Sequence, residues 1–138
     1  MEKYKILVQF VKDMSCETKD VETFLMAKDY ISKYSLTIDI ASKATKNKLV
    51  EIDTTLKFED KESRDKKAYF EIIYTSVIKI DSEIKEKDDL AKIILVDVQN
   101  EVYPKIKKTF IDMLENSGYK NVSIREVDFN KLYENRNN

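Results

Sequence analysis

Acidic side chains recur at alternate positions through the first half of the chain. Each acidic residue alternates with apolar neighbours along the chain. In β strands, all of the acidic side chains would therefore lie on one exposed face. The six positions are Asp13, Glu17, Asp39, Glu51, Asp53 and Glu71. Grouped carboxylates attract a basic partner through an association that salt weakens, although an ordinary solvated sheet face would show the same pattern. These residues therefore indicate recognition of a binding partner.

The residue types that most enzymes need are missing. The chain has no histidine, one cysteine (Cys16) and one glycine (Gly118). Without histidine there is no Ser-His-Asp, Cys-His or HExxH site, and one cysteine cannot build a structural zinc centre. One glycine is too few for a P-loop or a dinucleotide-binding loop. We therefore expect a binding protein that is not an enzyme and has no metal and no cofactor.

Length and charge limit the class of protein further. The 138 residues fit a single domain spanning 1–138, and 42% apolar residues are enough to build a core. The net charge of −1 gives no overall attraction to nucleic acid or to a membrane surface. Apolar runs are too short to span a bilayer, and a lone cysteine suits a reducing compartment. We expect a cytoplasmic protein with no membrane insertion.

Four alternating segments predict strands, at about 4–17, 36–41, 50–58 and 68–80. In the first strand the even-numbered side chains are expected on the core side, namely Ile6, Val8, Phe10, Met14 and Cys16. The loops at 43–47 and 60–67 are short and polar, as in hairpins. Apolar residues on one parity and polar residues on the other are typical of an antiparallel sheet with one face packed and one face wet.

The second half of the chain predicts helices. A mostly apolar helix is expected at about 87–98, and an amphipathic helix at about 100–116 with Pro104 in its first turns. Gly118 suits the left-handed residue that ends such a helix, and a short helix is expected at 129–133. The predicted fold class is α+β, a four-stranded antiparallel sheet with two main helices packed on one side.

The long connection 18–33 is too apolar for a plain surface loop. It could be a short helix or an extended arm that covers the sheet edge, or a partly exposed hydrophobic wall for a ligand. Exposed apolar patches on a folded protein mark binding sites. The residues that could form an open client groove are Phe24, Leu25, Met26, Tyr30 and Tyr34, together with Tyr103 and Phe110 from the second predicted helix.

Several local strings, in order, are similar to the SecB family of bacterial export chaperones. The segment 10–17, FVKDMSCE, resembles the family's aromatic-x-Lys-Asp-hydrophobic-Ser-Phe-Glu, with Cys16 in place of phenylalanine. The segment 100–104, NEVYP, resembles Asn-x-hydrophobic-aromatic-Pro, and 127–133, VDFNKLY, resembles the family's ending. The segment 69–72, YFEI, corresponds to a hydrophobic stretch with an embedded glutamate, although Thr75-Ser76 replaces the paired glycines that often follow.

This resemblance implies a homotetramer, a dimer of dimers, that holds unfolded preproteins in long apolar grooves without ATP. It also implies delivery of these clients to the SecA motor through an acidic sheet face. By position, the motor contact corresponds to Asp13, Glu17, Tyr69 and Glu71, and Tyr69 stands where the family has an aliphatic residue.

Two other functions fit the same residues. One is a SecB-like chaperone dedicated to another client, such as the antitoxin of a toxin–antitoxin pair. The other is a non-catalytic carrier with a small-ligand cavity between sheet and helices. A tetramer would favour the chaperone class, whereas a closed monomer with a deep pocket would favour the carrier.

Overall fold

Alternating apolar and polar residues build four strands. The computed structural model describes residues 2–62 and 64–136. The strands are β1 (Tyr4–Glu17), β2 (Ser35–Ala44), β3 (Leu49–Glu59) and β4 (Tyr69–Ile80). They form one antiparallel sheet in the order β1-β4-β3-β2, so β1 and β2 are the two edges. The predicted limits of β1 are confirmed at both ends.

The two faces of the sheet differ in burial. Most even-numbered side chains of β3 and β4 are buried under the helices, and Leu56, Phe70 and Ile72 are fully so. We call this side the inner face. Odd-numbered side chains of the same strands point to the outer face, where Asp53 pairs in register with Thr75. Helices on one face of an antiparallel sheet make the α+β class, as predicted.

Two β-bulges change the parity of β1. Its register against β4 shifts between Ile6 and Val8, and again between Val11 and Asp13. Each shift adds one residue, which turns the following side chains to the opposite face of the sheet. Val8 and Phe10 therefore lie on the outer face, opposite Val77 and Thr75. The prediction that these two side chains belong to the core side is wrong, whereas Met14 and Cys16 return to the inner face.

The connection after β1 is a helix. α1 (Val21–Tyr30) begins with Asp20, whose carboxylate accepts a hydrogen bond of 2.8 Å from the Thr23 backbone N–H. A short 3₁₀ turn, Ile31–Lys33, leads on to β2. Thr23 and Ala27 are buried on one side of α1, and the rest of its surface is partly or fully exposed.

The two helices predicted for the second half are one continuous helical rod. α2 (Lys87–Lys92) runs through a π-helical turn, Ile93–Asp97, directly into α3 (Val98–Asn116). The break predicted near residue 99 is absent. Pro104 lies inside α3 rather than at its start. Its missing N–H leaves the Asn100 carbonyl without a helical donor, but Asn100 is exposed, so water can take that place.

The π-helical turn ties the rod to the sheet. In a π turn the carbonyls bond one residue further along, and the Val98 N–H donates to Ile93. The next side chain, Gln99, is fully buried and donates to the Ile94 carbonyl at 3.3 Å. Its amide oxygen accepts from the Thr54 hydroxyl of β3 at 2.9 Å. These bonds satisfy a polar group that would otherwise be costly to bury.

The end of the chain folds back on the rod. Past α3, the Tyr119 N–H donates to Leu114 and the Gly118 N–H to Glu115, which is the Schellman motif. Gly118 has φ +101, so the predicted left-handed end of the helix is confirmed. The last helix, α4 (Phe129–Asn135), places Phe129 edge-on against Tyr103, 5.4 Å between ring centroids. Within the described ranges, no helix is long and apolar enough to cross a bilayer.

Replacing Gly118 by alanine is expected to destabilise the protein. A Cβ built there would lie 2.9 Å from Phe24 Cε1, and its φ of +101 is unfavourable for an L side chain. We expect a loss of roughly 1–2 kcal/mol in the free energy of unfolding, measured by urea titration. Ser117→Ala, at an exposed neighbour with φ −94, is the control and should change little. Equal losses for the two variants would contradict this account.

Candidate functional site

The outer face of the sheet carries all six predicted carboxylates. The strand register places them there, although two β-bulges intervene in β1. Asp13, Glu17 and Asp39 are exposed, whereas Glu51, Asp53 and Glu71 are half-buried. The proposed motor-contact residues come together at one end of this face, because Glu17 pairs directly with Tyr69 and Ser15 with Glu71.

Lysines neutralise part of this acidic face. Lys12, the extra residue of the second bulge, reaches across β4 and bonds Asp53 at 3.0 Å. Burial disfavours the ionised Asp53, but hydrogen bonds from Thr75 and Lys12 outweigh it and lower the pKa of this carboxyl. Lys57 lies 3.6 Å from Glu71. The acidic character is therefore strongest around the exposed Asp13 and Glu17.

Tyr69 is surrounded by carboxylates at that end. Its hydroxyl donates a hydrogen bond of 2.6 Å to Glu71 Oε2. This bond, partial burial and the charges of Glu71, Glu59 and Glu17 raise the pKa of Tyr69 to about 12. Sequence reasoning missed Glu59, although it continues the odd parity of β3 at the strand end and is half-buried on the same face. With Asp13, four acidic residues thus line this end of the face.

A second surface lies on α1. Val21 and Leu25, one helical turn apart, are 73% and 52% exposed, and Tyr30 is 44% exposed. Met26 is half-buried one turn before Tyr30. We call Val21, Leu25, Met26 and Tyr30 the apolar wall; Val21 was not among the predicted groove residues. Methionine and aromatic side chains adapt to many apolar partners.

A shallow cleft of about 430 Å³ borders the apolar wall. It is lined by Met26, Tyr30, Glu62, Arg64 and Asp65. The Arg64 guanidinium lies 4.1 Å above the Tyr30 ring, a cation–π contact that orients this ring at the rim of the cleft. Apolar and charged groups therefore meet in this cleft.

Three predicted groove residues lie elsewhere. Tyr34, Tyr103 and Phe110 are 7%, 3% and 0% exposed, so the expectation that they line an open surface is wrong. Tyr34 packs between Phe58 and Phe70. The Tyr103 hydroxyl donates to the Arg125 carbonyl at 2.7 Å, and burial raises the pKa of Tyr103 to about 12. These side chains hold the helices and the tail to the sheet.

Phe24 has an intermediate position. Its ring is half-buried and lies 5.0 Å, between centroids, from the Tyr119 ring. Tyr119 itself bonds the Thr18 hydroxyl and stacks edge-on against Phe70. Phe24 therefore anchors α1 to the core, and the part of it that can reach a ligand is small.

The third surface is the edge strand β1, which is apolar on both faces. Val8 and Phe10 are exposed on the outer face, and Val11 and Met14 on the inner face. The exposed fractions of these four side chains are 39–51%. The inner-face pair is open because the helix layer stops short of this edge. Leu7, the first bulge residue, is 45% exposed as well. The alternation predicted the strand, but nothing in it revealed this two-sided exposure.

These surfaces are built for binding. Among residues 2–62 and 64–136, no three carboxylate or cysteine side chains come together as a metal site. A long apolar strand with an unpaired edge offers both backbone donors and side-chain area to another chain. The apolar wall and the acidic face, in turn, offer separate surfaces of different chemistry.

Comparison with known proteins agrees with these features. The family model described as preprotein translocase subunit SecB matches residues 1–138. A protein-export SecB relative from Pelagibacter ubique (strain HTCC1062) is 46% identical over 138 residues, covering 99% of both chains. Among solved structures, the SecB-like chaperone of Mycobacterium tuberculosis in complex with a ChAD peptide from the HigA1 antitoxin matches with a TM-score of 0.64. It covers 91% of each chain at 10% identity and so shares the fold. The chain belongs to the SecB family of chaperones.

Proposed function

We propose that this protein is an ATP-independent holding chaperone that binds unfolded preproteins and hands them to the SecA motor. The observation that carries the proposal is the apolar surface left open on two elements, β1 and α1, in a chain of this family. A stable subunit buries such side chains unless another chain covers them. Because β1 and α1 each expose apolar side chains, we assign a different binding partner to each of them.

β1 serves assembly. Among the residues that the structure describes, no strand pairs with its outer edge, and apolar side chains flank that edge on both faces. A second copy could add its own β1 antiparallel, which would pair these groups and cover Val8, Phe10, Val11 and Met14. Such a dimer, doubled, is the homotetramer that we propose.

The apolar wall of α1 serves the client. Leu25 projects from the exposed side of α1, and Met26 and Tyr30 lie one turn apart on its flank. A helix has no strand edge to offer, so contact there is through side chains alone. Such contact tolerates varied client sequences. Several copies of the wall in a tetramer would strengthen individually weak contacts through avidity.

The acidic end of the outer face serves the motor. Asp13 and Glu17 are exposed carboxylates beside Tyr69 and Glu71. They lie on the face opposite to the helices, so a client held on α1 would leave them free. Opposite charges across such a contact would speed association and make it sensitive to salt.

A dedicated client is the second candidate function. It is favoured by the solved structural neighbour, which holds a peptide from an antitoxin. The same apolar wall would bind an antitoxin segment, and contact with SecA would then be unnecessary. A toxin–antitoxin gene pair beside the gene for this chain would favour this role.

The test combines mass and holding activity. Light scattering after size-exclusion chromatography should give four times the subunit mass of 16.3 kDa. Without ATP, the protein should suppress aggregation of a denatured preprotein and should bind purified SecA in a salt-dependent way. Suppression without SecA binding would favour the dedicated client. A monomer that suppresses nothing would overturn the proposal.

A further inference from the structure

Glu71 is already occupied within the subunit. Its side chain is only 14% exposed, whereas Asp13 and Glu17 on the same face are exposed. The Tyr69 hydroxyl donates to Glu71 Oε2 at 2.6 Å, and Lys57 Nζ lies 3.6 Å from the same oxygen. A cation from another protein that approaches this oxygen therefore has to compete with these two groups.

The two internal partners contribute differently. Hydrogen bonds to a charged acceptor are stronger than those between neutral groups. The Tyr69 bond is short and comes from a residue two positions away on the same strand, so little chain entropy opposes it. The Lys57 ammonium is 44% exposed at a longer distance and is easily displaced. The stronger obstacle is therefore the tyrosine hydroxyl.

We propose that Tyr69 acts as a built-in competitor that holds Glu71 away from basic partners and so sets how tightly this face docks. The proposal rests on the proposed motor contact and adds its control. Docking then begins at the exposed Asp13 and Glu17, and Glu71 joins only if the partner displaces the hydroxyl. A partner that reaches all three carboxylates is selected over one that carries a single cation.

The first measurement concerns the free protein. Carbon-13 labelling of the tyrosine rings allows NMR to follow the ionisation of Tyr69, whose pKa of about 12 reflects chiefly the bond to Glu71. Glu71→Gln removes the negative acceptor and should bring this pKa down toward the ordinary tyrosine value. An unchanged titration would overturn the internal contact on which the proposal depends.

The second measurement concerns binding. We would titrate a fluorescent octalysine peptide, and separately SecA, at low salt. Tyr69→Phe keeps the ring but loses the donor, and it should bind about threefold to tenfold more tightly, as the loss of one competing hydrogen bond permits. In the original protein, Glu71→Gln should change the binding affinity little. Combined with Tyr69→Phe, it should abolish the gain in affinity that Tyr69→Phe gives alone. Tyr133→Phe, whose hydroxyl donates to the Asp88 backbone carbonyl on another element, is the matched control and should not change binding.

The outcomes separate the two proposals. Equal or weaker binding by Tyr69→Phe would overturn the competitor while leaving the docking face in place. Failure of both proteins to bind octalysine and SecA would overturn the docking face and the competitor together. Suppression of client aggregation is a separate readout and would survive either result.

Discussion

A variant with Val8→Lys and Val11→Lys together is expected to lose the β1 contact, and so to be smaller than a tetramer at concentrations where the original protein is a tetramer. The two side chains lie on opposite faces of the edge strand and are 51% and 39% exposed in the isolated subunit. Light scattering after size-exclusion chromatography would show the loss of mass. The subunit should remain folded by circular dichroism, because neither valine is part of the buried core.

The size of this effect follows from the symmetry of the contact. Covering the exposed part of a valine stabilises an assembly by about 1 kcal/mol, and an unpaired buried ammonium costs several kcal/mol more. Each substitution occurs twice in a two-fold interface. The dissociation constant should therefore rise on the order of a thousandfold or more. Lysine is also the residue by which natural edge strands avoid pairing.

Leu132→Lys is the matched control for assembly. Leu132 is 49% exposed on α4, away from the β1 edge, and the change of an apolar side chain to a charge is the same. It should leave the mass unchanged. If the β1 variant keeps the mass of the original protein, then β1 is not the assembly edge, and another surface must cover its apolar side chains.

The sequence predicted the elements of the sheet better than the direction of individual side chains. Alternation located β1 at its observed limits, because strand formation depends on a repeating pattern over many residues. The bulges at Leu7 and Lys12 depend on single insertions with no compositional mark. Val8 and Phe10 were therefore assigned to the wrong face. The acidic face was predicted correctly, because the second bulge restores the parity before Asp13 and Glu17 and the other three strands are unbroken.

For the helices too, the local sequence pattern did not predict where the element begins. Pro104 and the polar residues before it resemble a helix start, but the rod continues because its inner side is held by buried contacts, including the Gln99 bond to Thr54. Likewise, aromatic side chains do not reveal what covers them. Tyr34 and Tyr103 are buried by Phe58, Phe70 and Phe129, partners up to 36 residues away whose approach depends on the complete fold.

Replacing Leu25 and Tyr30 by alanine together is expected to weaken client holding while the assembly stays intact. The two side chains are 52% and 44% exposed, and alanine keeps the helix propensity of α1. Losing their apolar area removes about 1–1.5 kcal/mol of contact each, so the client affinity should fall roughly thirtyfold to 150-fold. The measurement is suppression of aggregation of a denatured preprotein as a function of chaperone concentration.

Phe24→Ala separates holding from folding in this experiment. Its ring packs on Tyr119 and beside Gly118, so its loss should lower the free energy of unfolding by about 2 kcal/mol. The Leu25 and Tyr30 variant should lose much less stability, about 1 kcal/mol, which includes the cation–π contact between Tyr30 and Arg64. Reduced holding with near-original stability and mass would then locate client binding on α1. If the Leu25 and Tyr30 variant suppresses aggregation as well as the original protein does, the apolar wall is not the client-binding surface, because no folding defect could account for that result.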